Sequence, residues 1–205
     1  MIITGSSSCR HSFDFPPAHV EPWKTCAVTD ITETESAWLD EGELTSIRDR
    51  VPMVYVEAVP VRIDDLGIVQ NVGLLLRVMA DGSISRAVVS GRVNHGERIR
   101  DALLRHLEKD LGPLALPRIP ASPTPFTIAE YFPNPDITGF HDPRQHAVSL
   151  AYVVPVEGDC QPAAEALELT WMAPDEVVSP EVVGEMTVGH DRLVRRALAH
   201  CGRLS

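Results

Sequence analysis

The segment from Gly91 to Pro113 limits the fold more than any other part of the chain. It places a glycine-bearing loop directly before a helical pattern, and a glycine-proline pair ends that pattern. The apolar residues that recur at four-residue spacing are Ile99, Leu103, Leu107 and Leu111. This segment predicts a helix over about residues 97–111 that lays one apolar face on the rest of the domain.

Apolar runs separated by turn residues predict strands before and after this helix. The runs are 54–63, with an interruption at Pro60, then 68–79, 84–90, 126–132, 146–156 and 166–172. The run over 146–156 is nearly all apolar, which predicts burial on both faces of a sheet. A last helix is predicted over 180–200, interrupted near Gly189. Together these elements predict an α/β fold, a mixed sheet with helices on both sides.

Composition excludes several classes of protein. The chain has 205 residues, 44% of them hydrophobic, which fits one ordinary soluble domain plus some tail rather than a disordered chain. No run approaches the roughly 20 apolar residues of a bilayer-spanning helix. The net charge of −11 and the pI of about 5.1 argue against general affinity for nucleic acid, which binds through clustered Lys and Arg.

The amino-terminal segment differs from the rest. Residues 1–35 carry three consecutive serines and scattered prolines without apolar periodicity, which predicts a flexible extension before a domain over 36–205. Six acids between Asp30 and Leu44 form either a docking arm or a solvated helix face. The start of the chain lacks the pattern of a secretory signal. The four cysteines form no C-x-x-C pair, which is typical of free thiols in a reducing compartment, so we expect a cytoplasmic protein.

The segment 91–113 resembles the Nudix box, whose pattern is G-x5-E-x7-R-E-U-x-E-E-x-G-U with U a bulky aliphatic residue. Five residues keep the pattern without a gap: Gly91, Glu97, Arg105, Leu107 and Gly112. Pro113 replaces the final aliphatic residue. A later strand ending at Trp171, with a short helix after it, is also common in Nudix domains. The likeness covers roughly residues 50–200, and the chain is similar to an uncharacterised actinobacterial-type group of Nudix-like proteins. It implies a Nudix-type α/β/α sandwich with a mixed central sheet.

The resemblance implies a pyrophosphohydrolase in which box glutamates hold Mg or Mn, because hard divalent cations need several carboxylate oxygens. At the three glutamate positions this chain has His106, Lys109 and Asp110, so the box is degenerate. The catalytic residues implied by the resemblance are Glu97, Arg105, His106 and Asp110, with Glu97 and Asp110 as the metal ligands. The nearest further carboxylates are Glu130 and Glu168.

The box is locally basic although the whole chain is acidic. Such a balance suits an anionic ligand, because guanidinium and ammonium groups bind phosphate oxygens. The candidate substrate-binding residues are Arg86, Arg92, Lys109 and Arg144. Ordinary ion pairing on the helix surface explains the same balance equally well.

Three functions therefore remain open. The first is a Nudix-type hydrolase that uses a divalent cation to cleave a nucleoside diphosphate linked to another moiety. The second is a catalytically silent module that binds a nucleotide or sugar phosphate, since two of three box carboxylates are lost and a lysine is gained. The third is an interaction protein whose acidic arm docks a basic partner. The resemblance is also compatible with a homodimer.

Overall fold

Strands and helices follow one another along the chain in the order that the sequence predicts. The computed structural model describes residues 39–79, 82–162 and 166–204. Its strands are β1 (Met53–Ile63), β2 (Val69–Val78), β3 (Ile84–Ala87), β4 (Val89–Arg92), β5 (Thr127–Tyr131), β6 (Ala147–Pro155) and β7 (Glu168–Met172). Its helices are α1 (Glu41–Arg48), α2 (Ile99–Leu111), α3 (Pro174–Val177), α4 (Pro180–Gly184) and α5 (His190–His200).

The described strands form one mixed sheet. Its main path runs β3-β2-β1-β6-β5, while β4 pairs with β1 and β7 pairs with β2. The pairing of β1 with β6 is parallel, and the other pairs are antiparallel. This mixed sheet confirms the predicted fold class.

Helices cover both faces of the sheet, and alternate residues of each strand point to opposite faces. On one face, Val56, Leu75 and Tyr152 pack against α2, and we call this the α2 face. On the other, Val59 and Leu74 pack against Leu193 and Leu198 of α5, and we call this the α5 face. Both faces of β6 are buried, as its apolar run predicts.

The predicted break in the first strand is wrong, because β1 runs through Pro60. Its antiparallel partner β4 pairs only as far as Ala58, and its partner β2 pairs only from Val61. Pro60 therefore lies where one partner has ended and the next has not begun. A residue without an N–H is tolerated there.

Two other predicted elements are each divided. The run over 84–90 forms β3 and β4, separated at Val88, whose backbone N–H donates to His190 Nδ1 at 3.2 Å. The run over 180–200 forms α4 and α5, which are separated by residues 185–189, so the predicted interruption near Gly189 is confirmed. Of the amino-terminal acids, Glu41 and Glu43 lie in the first turn of α1, and Asp40 caps it. Residues 1–35 lie outside the described residues, and no described helix is long and apolar enough to cross a bilayer.

Candidate functional site

The segment that resembles the Nudix box forms one continuous unit on the α2 face. It begins in β4, continues through a loop over 93–98 and ends with α2. Gly112 follows α2 with a φ of 87°, a conformation that favours glycine. A Cβ there would lie 2.6 Å from the backbone oxygen of Gln161, so the close approach also requires glycine.

Glu97 and Arg105 form a bidentate ion pair that closes the loop onto the helix. Arg105 Nε donates to Glu97 Oε1 and Arg105 Nη2 donates to Glu97 Oε2, each at 2.7 Å. The backbone N–H of Asn94 donates to Glu97 Oε2 at 2.9 Å. The hydrogen bonds from Arg105 lower the pKa of Glu97 although burial opposes them, so this carboxylate is ionised at neutral pH. Both of its oxygens already hold hydrogen bonds within the box.

His106 is a packed residue whose ring lies over Gly91. Only 8% of the residue is exposed, and a Cβ on Gly91 would lie 1.8 Å from His106 Cε1. His106 Nε2 lies 3.0 Å from the carbonyl oxygen of Arg92. Since a carbonyl only accepts, we assign the ring hydrogen to Nε2. Burial lowers the pKa of His106, so the ring is neutral at pH 7 and serves as a donor to the backbone.

Asp110 pairs with an arginine that lies outside the box. Its carboxylate is 4% exposed and accepts a hydrogen bond from Arg77 Nη2 on β2. Burial raises the pKa of Asp110, and the charge of Arg77 offsets part of that rise. The motif gives no indication of Arg77. The sequence offers one indication: Arg77 is two residues after Leu75 on the same strand, which places both side chains on the α2 face.

These contacts do not fit a site for Mg or Mn on Glu97 and Asp110. Each carboxylate is neutralised by its own guanidinium, Arg105 for the first and Arg77 for the second. Lys109 lies exposed on α2, whereas its neighbours His106 and Asp110 are buried. Across residues 39–79, 82–162 and 166–204, no group of three or more His, Cys, Asp or Glu side chains could hold a metal ion.

The carboxylates expected to assist from outside the box lie on exposed strand positions. Glu130 is an exposed residue of β5. Glu168 is an exposed residue of β7, where it is the cross-strand partner of Leu76 and its Oε1 accepts from Thr170 at 3.0 Å. Because Leu76 alternates with Leu75, Glu168 belongs to the α5 face rather than the α2 face.

The structure separates two of the four predicted substrate-binding cations from each other. Arg86 is the cross-strand partner of Leu76, which places it on the α5 face, and its Nε donates to Glu185 Oε2 at 2.7 Å. Lys109 lies on α2, on the other side of the sheet. These two residues therefore do not meet at one site.

Arg92 and Arg144 both lie near Tyr55. Arg92 is the cross-strand partner of Tyr55 on the α5 face. Arg144 forms a bidentate pair with Asp142, and Gln145 Nε2 joins Asp142 to the Tyr55 hydroxyl with hydrogen bonds of 2.8 and 2.9 Å. Burial raises the pKa of Asp142, but the hydrogen bonds from Arg144 outweigh it and the net shift is downward.

The Arg92 residue connects the box to the opposite face of the sheet. Its carbonyl oxygen accepts from Arg105 Nη2 and from His106 Nε2, each at 3.0 Å. Its Nη1 is buried and has no hydrogen-bond partner among the described residues. The box thus fixes the backbone of an arginine whose own guanidinium retains an available donor.

Comparison with known proteins assigns the family. The sequence profile of a domain of unknown function, DUF4916, matches residues 34–203. The chain belongs to the DUF4916 family. A solved structure from Jonesia denitrificans, described as a possible asymmetric diadenosine tetraphosphate (Ap(4)A) hydrolase, is 61% identical. The match covers 76% of this DUF4916 chain and 98% of that one, with a TM-score of 0.74.

More distant structures confirm the Nudix fold of this DUF4916 protein. A NUDIX hydrolase from Nitrosomonas europaea is 15% identical with a TM-score of 0.55, covering 75% of this chain and 92% of that one. The NUDIX domain of Shewanella oneidensis NrtR, solved with ADP ribose, is 16% identical with a TM-score of 0.54, covering 79% and 99%. No curated protein matches the chain significantly. The predicted resemblance to the Nudix superfamily and to an actinobacterial-type group is confirmed.

Proposed function

We propose that this DUF4916 protein is a Nudix-fold module that binds a nucleotide or sugar phosphate without requiring a divalent cation. One observation carries the proposal: the two carboxylates left in the box, Glu97 and Asp110, are each paired with an arginine. A divalent cation would have to displace both guanidinium groups. Each carboxylate oxygen that became a metal ligand would lose the charge-assisted hydrogen bond that it now accepts from an arginine.

Arg92 is the proposed phosphate ligand. Guanidinium groups bind phosphate oxygens through directed N–H donors, and burial strengthens such contacts. The Nη1 atom of Arg92 is buried and unpartnered within the described part of the chain. Arg105 and His106 hold its backbone, so in this proposal they are positioning residues. Arg144, which is paired with Asp142 and tied to Tyr55 through Asp142 and Gln145, lies at the same end of the sheet.

Hydrolysis remains a second candidate because the Jonesia protein, 61% identical, is described as a possible asymmetric Ap(4)A hydrolase. In this candidate Mg or Mn would be a cofactor and Glu97, Arg105, His106 and Asp110 would form the catalytic box. The carboxylates of this chain do not fit that cation as they are arranged. The two candidates therefore differ in a measurable property, the dependence of binding and turnover on metal.

Calorimetry separates the candidates. We would titrate Mg²⁺ and Mn²⁺ into the full chain and into Asp110→Ala, and then titrate ADP ribose, Ap(4)A and pyrophosphate with and without a chelator. Metal-independent binding of a phosphate probe, with no metal binding at millimolar concentration, is the expected result. Micromolar metal binding that disappears in Asp110→Ala, together with release of phosphate products, would establish the hydrolase instead.

A charge reversal on α2 tests whether the box helix itself contacts the phosphate. Lys109→Glu is expected to weaken binding of pyrophosphate, since an exposed cation on the box helix is replaced by an anion. Glu108→Gln, at the adjacent exposed position, is the matched control. Unchanged affinity in Lys109→Glu would restrict the phosphate contacts to the end of the sheet that carries Arg92.

A reducing, cytoplasmic location is also proposed. Cys160 and Cys201 are free, and burial raises the pKa of both thiols, which keeps them protonated at neutral pH. Alkylation of a freshly lysed sample is expected to find both as thiols.

A further inference from the structure

The α5 face carries a buried carboxylate that the box does not use. Glu57, in the middle of β1, is 3% exposed. Its Oε1 accepts from the Tyr131 hydroxyl at 2.8 Å and lies 3.4 Å from His190 Nε2. His190 Nδ1 accepts from the backbone N–H of Val88, so the ring hydrogen lies on Nε2 and faces Glu57. One carboxylate oxygen is therefore fixed by two donors.

The second carboxylate oxygen of Glu57 differs from the first in its hydrogen bonding. Glu57 Oε2 is buried and has no hydrogen-bond partner within residues 39–79, 82–162 and 166–204. The same holds, within those ranges, for Ser149 Oγ and Arg92 Nη1. Buried polar atoms are almost always satisfied, because leaving one unpaired costs about 1–3 kcal/mol.

Strand register places these three atoms on one face. Tyr55 is the cross-strand partner of both Arg92 and Ser149, and Glu57 is two residues further along β1. Residues two apart on a strand share a face and lie about 7 Å apart. An acceptor, a hydroxyl and a guanidinium donor therefore lie at neighbouring positions on this face of the sheet, and Arg92 is the least buried of the three residues.

The neighbouring residues on this face are less buried than Glu57 and Ser149. Tyr55, Ser90 and Arg92 are only partly buried, and Ser90 is the cross-strand partner of Glu57. Tyr55 in turn connects through Gln145 and Asp142 to the surface residue Arg144. Hydrogen bonds therefore connect the surface to Tyr55, which lies two residues from Glu57 on the same face of β1.

We propose that Glu57 and Ser149 bind a sugar hydroxyl of the ligand whose phosphate Arg92 holds, an inference that rests on the proposed function. A hydroxyl is both donor and acceptor, so it can donate to Glu57 Oε2 and accept from Ser149 Oγ. Carboxylates serve this purpose for ribose hydroxyls in other nucleotide sites. A second phosphate is disfavoured here because its oxygens are hydrogen-bond acceptors, as Glu57 Oε2 is, so the two would not pair. The ligand class is a phosphorylated sugar, free or within a nucleotide.

The test compares probes with and without the hydroxyls. Ribose 5-phosphate carries them and lacks a base, ADP ribose carries both, and pyrophosphate carries neither. We would measure their affinities by calorimetry for the full chain, Glu57→Gln and Ser149→Ala, with Glu130→Gln on exposed β5 as the matched control. Glu57→Gln is expected to weaken the binding of ribose 5-phosphate and ADP ribose by about tenfold, as loss of one hydrogen bond to a buried acceptor would. Pyrophosphate affinity is expected to stay unchanged.

Each other outcome overturns the inference, and some leave the proposed function intact. If Glu57→Gln weakens the binding of pyrophosphate as much as the binding of the sugar probes, Glu57 affects binding only by supporting the fold. If no affinity changes, the three atoms hold buried water only. If the full chain binds ribose 5-phosphate no more tightly than inorganic phosphate, the sugar subsite is wrong while the phosphate module stands. If no phosphate probe binds at all, the proposed function itself fails. Ser149→Ala, expected to weaken the sugar probes alone, decides the question if Glu57→Gln does not fold.

Discussion

Gly91 and His106 are in close contact on the α2 face. The first box glycine lies under the imidazole ring, and no side chain could replace its hydrogen without displacing that ring. His106 in turn donates to the carbonyl of Arg92. A position where the Nudix pattern has a glutamate therefore serves here to pack β4 against α2.

Gly91→Ala is expected to lower the free energy of unfolding by about 1–3 kcal/mol, the usual cost of overpacking a well-filled site. The combination with His106→Ala is expected to be less destabilising than the sum of the single variants, because the clash is removed. Urea unfolding of the three variants measures this coupling. Gly184→Ala is the control, since a Cβ there meets nothing within 4 Å. Additive effects would show that the ring does not lie over Gly91.

The Glu97–Arg105 pair predicts a pH dependence of stability. The folded pKa of Glu97 lies below its ordinary value of about 4.3, so the pair contributes fully above that pH. Its contribution is lost as the pH falls through the lower folded pKa. Glu97→Gln is expected to lower the free energy of unfolding by about 2 kcal/mol at pH 7 and by progressively less as the pH falls below about 4. Unfolding free energies of both proteins from pH 7 to pH 3 give this difference, and a difference independent of pH would contradict the pair.

At the scale of elements, the Arg77–Asp110 pair holds β2 to the end of α2. Asp110 lies in the last turn of the helix, where the helix dipole disfavours a carboxylate, and it is buried as well. Arg77 offsets both costs with its charge. Arg77, a residue outside the box, is therefore the main opposing charge for Asp110, whereas the box residue Arg105 has that role for Glu97.

Arg77→Met is expected to lower the free energy of unfolding by about 3–5 kcal/mol at pH 7, because it leaves Asp110 buried without its partner. Adding Asp110→Asn is expected to recover part of that loss. Arg118→Met provides the control, since the Arg118–Glu157 pair is about half exposed and such pairs contribute about 0–1 kcal/mol. Equal costs for the two arginine variants would show that the Arg77 pair is no stronger than a surface pair.

At the scale of the whole molecule, we propose that residues 36–205 form the folding unit. The family profile starts at residue 34, and 76% of this chain suffices to cover 98% of the Jonesia structure. A chain without residues 1–35 is expected to keep its melting temperature within a few degrees and its affinity for phosphate probes. Thermal unfolding and calorimetry of both chains test this. A large loss of stability would make the amino-terminal segment part of the domain, and loss of a protein partner would support the acidic docking arm.

Much of the fold was predictable because its signals are local. The four-residue spacing of leucines in α2 and the apolar run of β6 predicted their elements within one or two residues of the observed bounds. The prediction of a break at Pro60 was wrong because a strand tolerates a proline where no adjacent strand needs its N–H, and this depends on which partner strand lies beside it. Strand partners are not visible in local composition.

The sequence by itself determined the Nudix fold, the family and the spacing that brings Glu97 to Arg105, eight residues along the chain. Only the tertiary structure decided that Arg77 neutralises Asp110 and that Tyr131 and His190 fix Glu57, contacts that span 33 or more residues. The physical reason is the alternation of side chains along a strand. A change of one residue in register would send the strand residues Arg77, Glu57 and Tyr131 to the opposite face of the sheet.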